Sequence, residues 1–178
     1  MNFEIEGIKG LAIYEYNPFI KDQLFLFKGC YDYELYNIFI EQFKKELRAK
    51  YRSFTMIPIP SNEDDDQKRG FNHVREIFKV LNITSLMVLK KTNKDKQANK
   101  NYYQRISGIN NLELIKENEK RLVNKNILIV DDVCTTGTTL KNAISLIKPL
   151  NPKKIEILVV AKRVLTKEEN ALYSKNSK

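Results

Sequence analysis

At 178 residues, 42% of them hydrophobic, the chain is long enough for one domain with a real core. It contains no apolar run near the roughly 18 residues that span a bilayer, and its Met1-Asn2-Phe3-Glu4 start lacks the basic-then-apolar layout of a secretion signal. A cytoplasmic protein without membrane insertion is expected. The formal charge of +9 suits a polyanionic partner, but a chain this rich in Lys, Asn, Ile, Phe and Tyr acquires the same balance from AT-rich codons.

In chain order, Leu11 to Tyr16 reads as a first strand. Ile38, Phe39, Phe43 and Leu47 recur at helical spacing between Lys and Glu, which predicts an amphipathic helix from Leu35 onward. Phe54 to Pro60 is apolar and closed by proline, a strand ending in a tight turn. Asp64, Asp65 and Asp66 form an acidic run, read as a solvated turn rather than as metal ligands. Phe71, Val74, Ile77, Phe78 and Leu81 mark a second core-facing helix, on which His73 packs or hydrogen-bonds rather than catalyses. Ser85 to Leu89 is a candidate strand and Lys90 to Gln104 a polar stretch. Asn126 to Val130 and Ile155 to Ala161 are apolar without alternation, as strands buried on both faces of a parallel sheet are. Between them Leu140, Ala143, Ile144 and Ile147 form a helical stripe ended by Pro149. Strand, helix, strand is a βαβ unit of an open α/β sheet. One domain over 1–165 with a polar, flexible tail over 166–178 is the expected organisation.

The chemistry concentrates where that βαβ unit turns. Ligands of open α/β sheets bind beyond the carboxyl ends of the strands. Asp131, Asp132, Val133, Cys134, Thr135, Thr136, Gly137, Thr138 and Thr139 occupy this point. A helix N-terminus offers unpaired N–H groups to a phosphate, glycine lets the backbone approach it, and threonine hydroxyls donate to its oxygens. The two carboxylates suit ribose hydroxyls as acceptors and can hold Mg²⁺, partly through water. An apolar strand ending in two acids also looks like a Walker B strand, but no GxxxxGK[ST] loop accompanies it. Receiver domains share the acidic pair without such a Thr-Gly turn.

The stretch ILIVDDVCTTGTT resembles the signature by which type I phosphoribosyltransferases bind phosphoribosyl pyrophosphate (PRPP). That resemblance implies an open, mostly parallel sheet flanked by helices, with Asp131 and Asp132 on the ribose and as the catalytic acids, Thr135 to Thr139 around the 5′-phosphate, and Val133 and Cys134 within the same PRPP-binding stretch. Ile57-Pro58-Ile59-Pro60-Ser61, then Arg69-Gly70-Phe71-Asn72, then Gln97 and Arg105, resemble in order the pattern of the ComF branch, whose members serve DNA uptake in natural transformation. Pro60 and Ser61 would then belong to the pyrophosphate loop, with Arg69, Lys90 and Arg105 as candidate ligands of its oxygens. For Lys90 a solvated surface charge is an equal alternative. The chain departs from the branch in two respects. The four-cysteine zinc finger that ComF proteins often carry is missing, since only Cys30 and Cys134 are present, so no zinc is expected. The asparagine due after the loop arginine is Gly108, with Asn110 and Asn111 nearby.

Lys91, Lys94, Lys96, Lys100, Tyr102 and Tyr103 stand in the same polar stretch. The stretch reads as a lid over PRPP, as a strip for single-stranded DNA through phosphate contacts and stacking on tyrosine, or as a plain loop. Cys134, at the variable position of the signature, reads as filler. An acceptor-base hood of the kind purine and orotate enzymes carry is not recognisable. Three functions follow: phosphoribosyl transfer to an unknown acceptor, a DNA-binding competence factor working with other competence proteins, or a regulator that senses PRPP.

Overall fold

The computed structural model describes residues 1–30, 32–61, 63–91 and 112–164. Its frame is a five-stranded sheet in the order β1-β2-β7-β6-β3, built from β1 (Asn2–Ile5), β2 (Ile8–Glu15), β3 (Phe54–Pro58), β6 (Asn126–Cys134) and β7 (Lys154–Lys162). All neighbours run parallel except β1 against β2. That antiparallel edge was not read from the sequence. Its two-residue turn sets both Glu6 (φ 52°) and Gly7 (φ 76°) in the left-handed region, the geometry that matches the twist of a tight hairpin.

The unbroken apolar strands behave as expected of strands covered on both sides. Ile127, Ile129, Ile157 and Val159 pack on one face with Leu140, Ala143, Ile144 and Ile147 of α5 (Thr138–Ile147). Leu128, Val130, Leu158 and Val160 pack on the other. There they meet α1 (Pro18–Gly29), α2 (Lys44–Tyr51) and α4 (His73–Phe78) through residues such as Leu24, Phe27, Leu47, Ile77 and Phe78. Each fully buried side chain of this size contributes roughly 1.5–3 kcal/mol before chain entropy is charged against it.

Three expectations are corrected, and one helix is added to them. The helix from Leu35 is two 3₁₀ turns, Tyr33–Asn37 and Glu41–Phe43, and only then α2. The chain breaks at Ile40 (φ −133°), which lets Phe39 and Ile40 both enter the core while Ile38 stays 44% exposed. Ser85 to Leu89 is not a regular strand. It runs beside β3 through one parallel bridge, Met56 with Ser85, before β4 (Leu89–Lys91) pairs with β5 (Leu112–Leu114). The acidic run lies in a helix, α3 (Glu63–Arg69), not in a turn. Finally, α1 went unread, although Asn17-Pro18 is a strong helix start: the Asn17 carboxamide oxygen accepts from the Ile20 amide at 2.9 Å, and proline occupies the first turn. The expected tail and the stretch 92–111 lie outside the described residues. Among the described residues no helix is long and apolar enough to cross a membrane.

Candidate functional site

β6 carries its signature past the predicted end, pairing with β7 as far as Cys134. Along a regular strand, residues four apart share a face. Here Val130 packs on the α1 and α4 side and Cys134 on the α5 side. The alternation therefore slips at the acid pair. At that point the Asp132 amide donates to Asp131 Oδ1 at 2.9 Å and the Val133 amide to Asp132 Oδ1 at 2.6 Å. One oxygen of each carboxylate thus holds the backbone and leaves the other outside these bonds. Both acids are buried, at 9% and 7% exposure. Burial pushes the Asp131 carboxyl up to about 7, against the pull of Lys28 and Lys91.

The turn that follows puts Gly137 (φ 79°) at the N-terminus of α5, with Thr135, Thr138 and Thr139 exposed and Thr136 half-buried. The hydroxyls of Thr136 and Thr138 bond each other at 2.9 Å. A Cβ on Gly137 would stand 2.8 Å from Ile5 Cδ1, so the β1 hairpin backs the loop. Gly137→Ala is expected to cost about 1–3 kcal/mol from strained φ and the displaced isoleucine. Urea unfolding of the variant checks this; an unchanged midpoint would mean that the turn relaxes freely. The Cys134 side chain is core, with burial raising its thiol pKa, and both Cys30 and Cys134 are free thiols.

An open cleft of about 370 Å³ gathers Asp131, Asp132, Val133 and Thr139 with Pro60, Ser61 and Arg69. The same cleft is lined by Lys28, Asp65 and His73, to which no sequence pattern points, and by Lys91 from the start of the polar stretch. Strand alternation sends Lys91 into it, while Lys90 faces Glu113 at 3.7 Å and is absent from the lining. Arg105, Lys94, Lys96, Lys100, Tyr102 and Tyr103 lie outside the described residues.

A polar network holds the wall opposite the acids. Asp66 accepts from Ser61 Oγ, from Asn72 Nδ2 at 2.9 Å and from Arg69 Nη1 at 3.1 Å, so it is no solvated charge. Arg69 also donates Nε to the Lys28 carbonyl at 3.1 Å, and Nη1 lies 3.1 Å from His73 Nδ1. A guanidinium has no acceptor, so Nδ1 must be bare and the proton sits on Nε2. That nitrogen stands 3.3 Å from Asp132 Oδ2. Burial, reinforced by Lys28, Arg69 and Lys91, drives the His73 pKa far down and keeps the ring neutral. Lys28, in the last turn of α1, brings its ammonium against the same Oδ2.

Beyond Lys28 a second hollow of about 400 Å³ opens under α1, lined by Tyr16, Lys21, Leu24 and Phe25 and sharing Lys28, Arg69 and Val133 with the cleft. Phe25 is 64% exposed there. The sequence displayed no hood; α1, the helix it did not reveal, overhangs this part of the site.

A family model described as "Phosphoribosyl transferase domain" matches residues 67–177. The competence protein ComFC of Bacillus subtilis is 30% identical over 132 residues, 72% of this chain and 53% of that protein. Competence protein ComFC of Streptococcus pneumoniae is 29% identical over 150 residues, covering 84% of this chain and 66% of the relative. The chain thus spans between about half and two-thirds of the length of these relatives. Among solved structures, a hypoxanthine phosphoribosyltransferase from Staphylococcus aureus aligns with a TM-score of 0.45 at 16% identity, over 75% of this chain and 68% of that one.

Proposed function

The chain belongs to the phosphoribosyl transferase domain family, on its ComF branch, and from that premise we propose that the cleft binds PRPP and transfers its phosphoribosyl group to an acceptor. The observation that carries the reading is the buried acid pair at the end of β6, each carboxylate with one oxygen turned from the backbone, followed at once by a glycine-started helix N-terminus. Ribose hydroxyls donate to Asp131 and to Asp132, whose Oδ2 is met by Lys28 and His73 in the ligand-free protein. The 5′-phosphate lies on the Thr135 to Thr139 turn, where amide N–H groups and the α5 dipole favour a dianion. The diphosphate faces Arg69 and Lys91, with the Ser61 turn beside them.

In the reaction the bond from the anomeric carbon to the diphosphate oxygen breaks and a bond to the acceptor forms, with positive charge on the sugar and negative charge on the leaving oxygens in between. The carboxylates lie on the side where positive charge develops, the cations where negative charge grows. Asp131 and Asp132 are the residues that would hold Mg²⁺. Among the described residues no set of three or more His, Cys, Asp and Glu is arranged to bind a metal by itself, which fits an ion that arrives with a phosphorylated ligand and keeps its waters. When bound, Mg²⁺ supplies neutralisation of the diphosphate. The hollow under α1, lined by Tyr16, Leu24 and Phe25, is the place for an acceptor, because it adjoins the cleft across Lys28 and Val133. The ComFC relatives suggest DNA uptake as the setting in which this chain works.

Calorimetric titration of PRPP with Mg²⁺ into the folded chain should give saturable binding, and a flat titration would sink the reading. With binding in hand, pyrophosphate release that depends on an added acceptor separates an enzyme from a PRPP sensor.

A further inference from the structure

Two adjacent buried carboxylates repel each other and lose their hydration, so a cation must join them or a proton must. In this fold the cation comes from an element remote from the signature. Lys28 contacts Asp132 and lies within electrostatic reach of Asp131. The end of α1 that carries it is pinned over the cleft, because the Lys28 carbonyl accepts from Arg69 Nε at 3.1 Å. The side chain itself is less constrained: it is 30% exposed and lines both the cleft and the hollow under α1. His73 accepts from Arg69 at Nδ1, so its ring carries one proton, on Nε2, and supplies no charge of its own.

We propose that Lys28 is the built-in counter-ion of the acid pair in the ligand-free protein, and that a divalent cation must displace it to reach Asp131 and Asp132. The inference rests on the reading of those acids as the ribose and Mg²⁺ site. Two carboxylates and one ammonium leave a single negative charge, whereas a dication neutralises both acids. The two cations compete for the pair, since at contact distance their repulsion cancels much of the attraction each feels. Four rotatable bonds let the ammonium swing off Asp132. Off Asp132 it keeps Arg69 and Lys91, which are already within electrostatic reach, and three clustered cations are tolerable only with an anion among them. The metal alone is therefore held off, while metal and diphosphate entering together each remove the obstacle to the other. Such coupling makes the site discriminate against free Mg²⁺ and against the metal-free ligand.

The test needs no PRPP, so its failure and a failure of PRPP binding are separate results. Thermal unfolding of the intact chain is followed with and without millimolar MgCl₂ for wild type, Lys28→Met and Lys28→Arg. Wild type and Lys28→Arg should melt at the same temperature whether or not the ion is present. Lys28→Met should melt lower without it, and at ten times its Kd the ion should raise that Tm by about 3–6 °C. Adding Asp132→Asn to Lys28→Met should remove the response. A variant that folds only with the metal present supports the proposal as well. If Lys28→Met does not fold at all, Lys28→Gln, which keeps length and a donor to Asp132 without charge, takes its place. A Lys28→Met or Lys28→Gln Tm indifferent to Mg²⁺, or a wild-type Tm that rises as far as theirs, overturns it.

Discussion

Asp131→Asn is expected to weaken PRPP binding at least tenfold and yet to make the protein more stable. Burial holds the Asp131 carboxyl up at about 7, far above the ordinary carboxylate range near 4. The native state thus binds this proton more tightly than the unfolded chain does. The stability that goes with it is fully present below about pH 4 and is lost as pH rises toward 7. Asparagine carries no charge and retains an oxygen that can accept from the Asp132 amide, so the backbone arrangement at the strand end survives. At about pH 8 the variant should gain roughly 1–3 kcal/mol, and its Tm should lose much of the fall that wild type displays between about pH 4 and 7. Binding moves the other way. A charge-assisted acceptor for a ribose hydroxyl is replaced by a neutral amide, a loss of about 1.5–3 kcal/mol per bond, which means about ten- to a hundredfold for each hydroxyl involved. Melting curves across pH together with calorimetry read both effects. A lower Tm at about pH 8 would show that the charge of Asp131 holds the fold together, and would remove the argument that the acid is kept for a ligand.

Arg69→Ala should be the most damaging single change in the cleft, for structural and functional reasons at once. Its side chain is only 8% exposed and ties three elements: the end of α1 through the Lys28 carbonyl, α3 through Asp66, and α4 through His73. Removing it strands a carbonyl, withdraws one of the donors to Asp66 and frees His73 to change tautomer. The expected cost is about 2–4 kcal/mol, or a Tm lower by about 5–15 °C. Affinity for PRPP should fall by ten- to a hundredfold as one of the cations facing the diphosphate disappears. Arg69→Lys separates the two roles. It restores the charge but not the fork, so it should recover part of the affinity and little of the stability. Equal recovery of both by lysine would mean that the hydrogen-bond geometry contributes nothing.

The parts of the site legible from the sequence are contiguous in the chain. Asp131, Asp132 and the Thr-Gly turn announce themselves because a phosphate turn needs particular residues at successive positions, and the apolar runs of β6 and β7 announce a two-sided sheet. Pro60, Ser61 and Arg69 were readable through their order along a known pattern, and the fold brings them to the acids. The misreadings have physical causes too. Apolar spacing from Leu35 to Leu47 reports burial, and two 3₁₀ turns satisfy it as well as a helix does. Asp66 looked like a solvated acid because nothing in its local sequence reveals that Ser61, Arg69 and Asn72 converge on it. Lys91, not Lys90, lines the cleft because a strand sends neighbours to opposite sides, and one residue of register decides between them.

By itself, then, the sequence determined the class of the fold and the strand-turn-helix that carries the acid pair, since these follow from periodicity and from a run of adjacent residues, and the family to which the chain belongs, through the resemblance of its motifs to a known pattern. The tertiary structure alone decided what surrounds that pair. Lys28 comes from a helix more than a hundred residues upstream, His73 presents a neutral ring because Arg69 fixes its tautomer, and the hollow under α1 exists only because α1 packs over the strand ends. Charge balance, tautomer and cavity are properties of groups brought together across the chain, and no local pattern of residues encodes them.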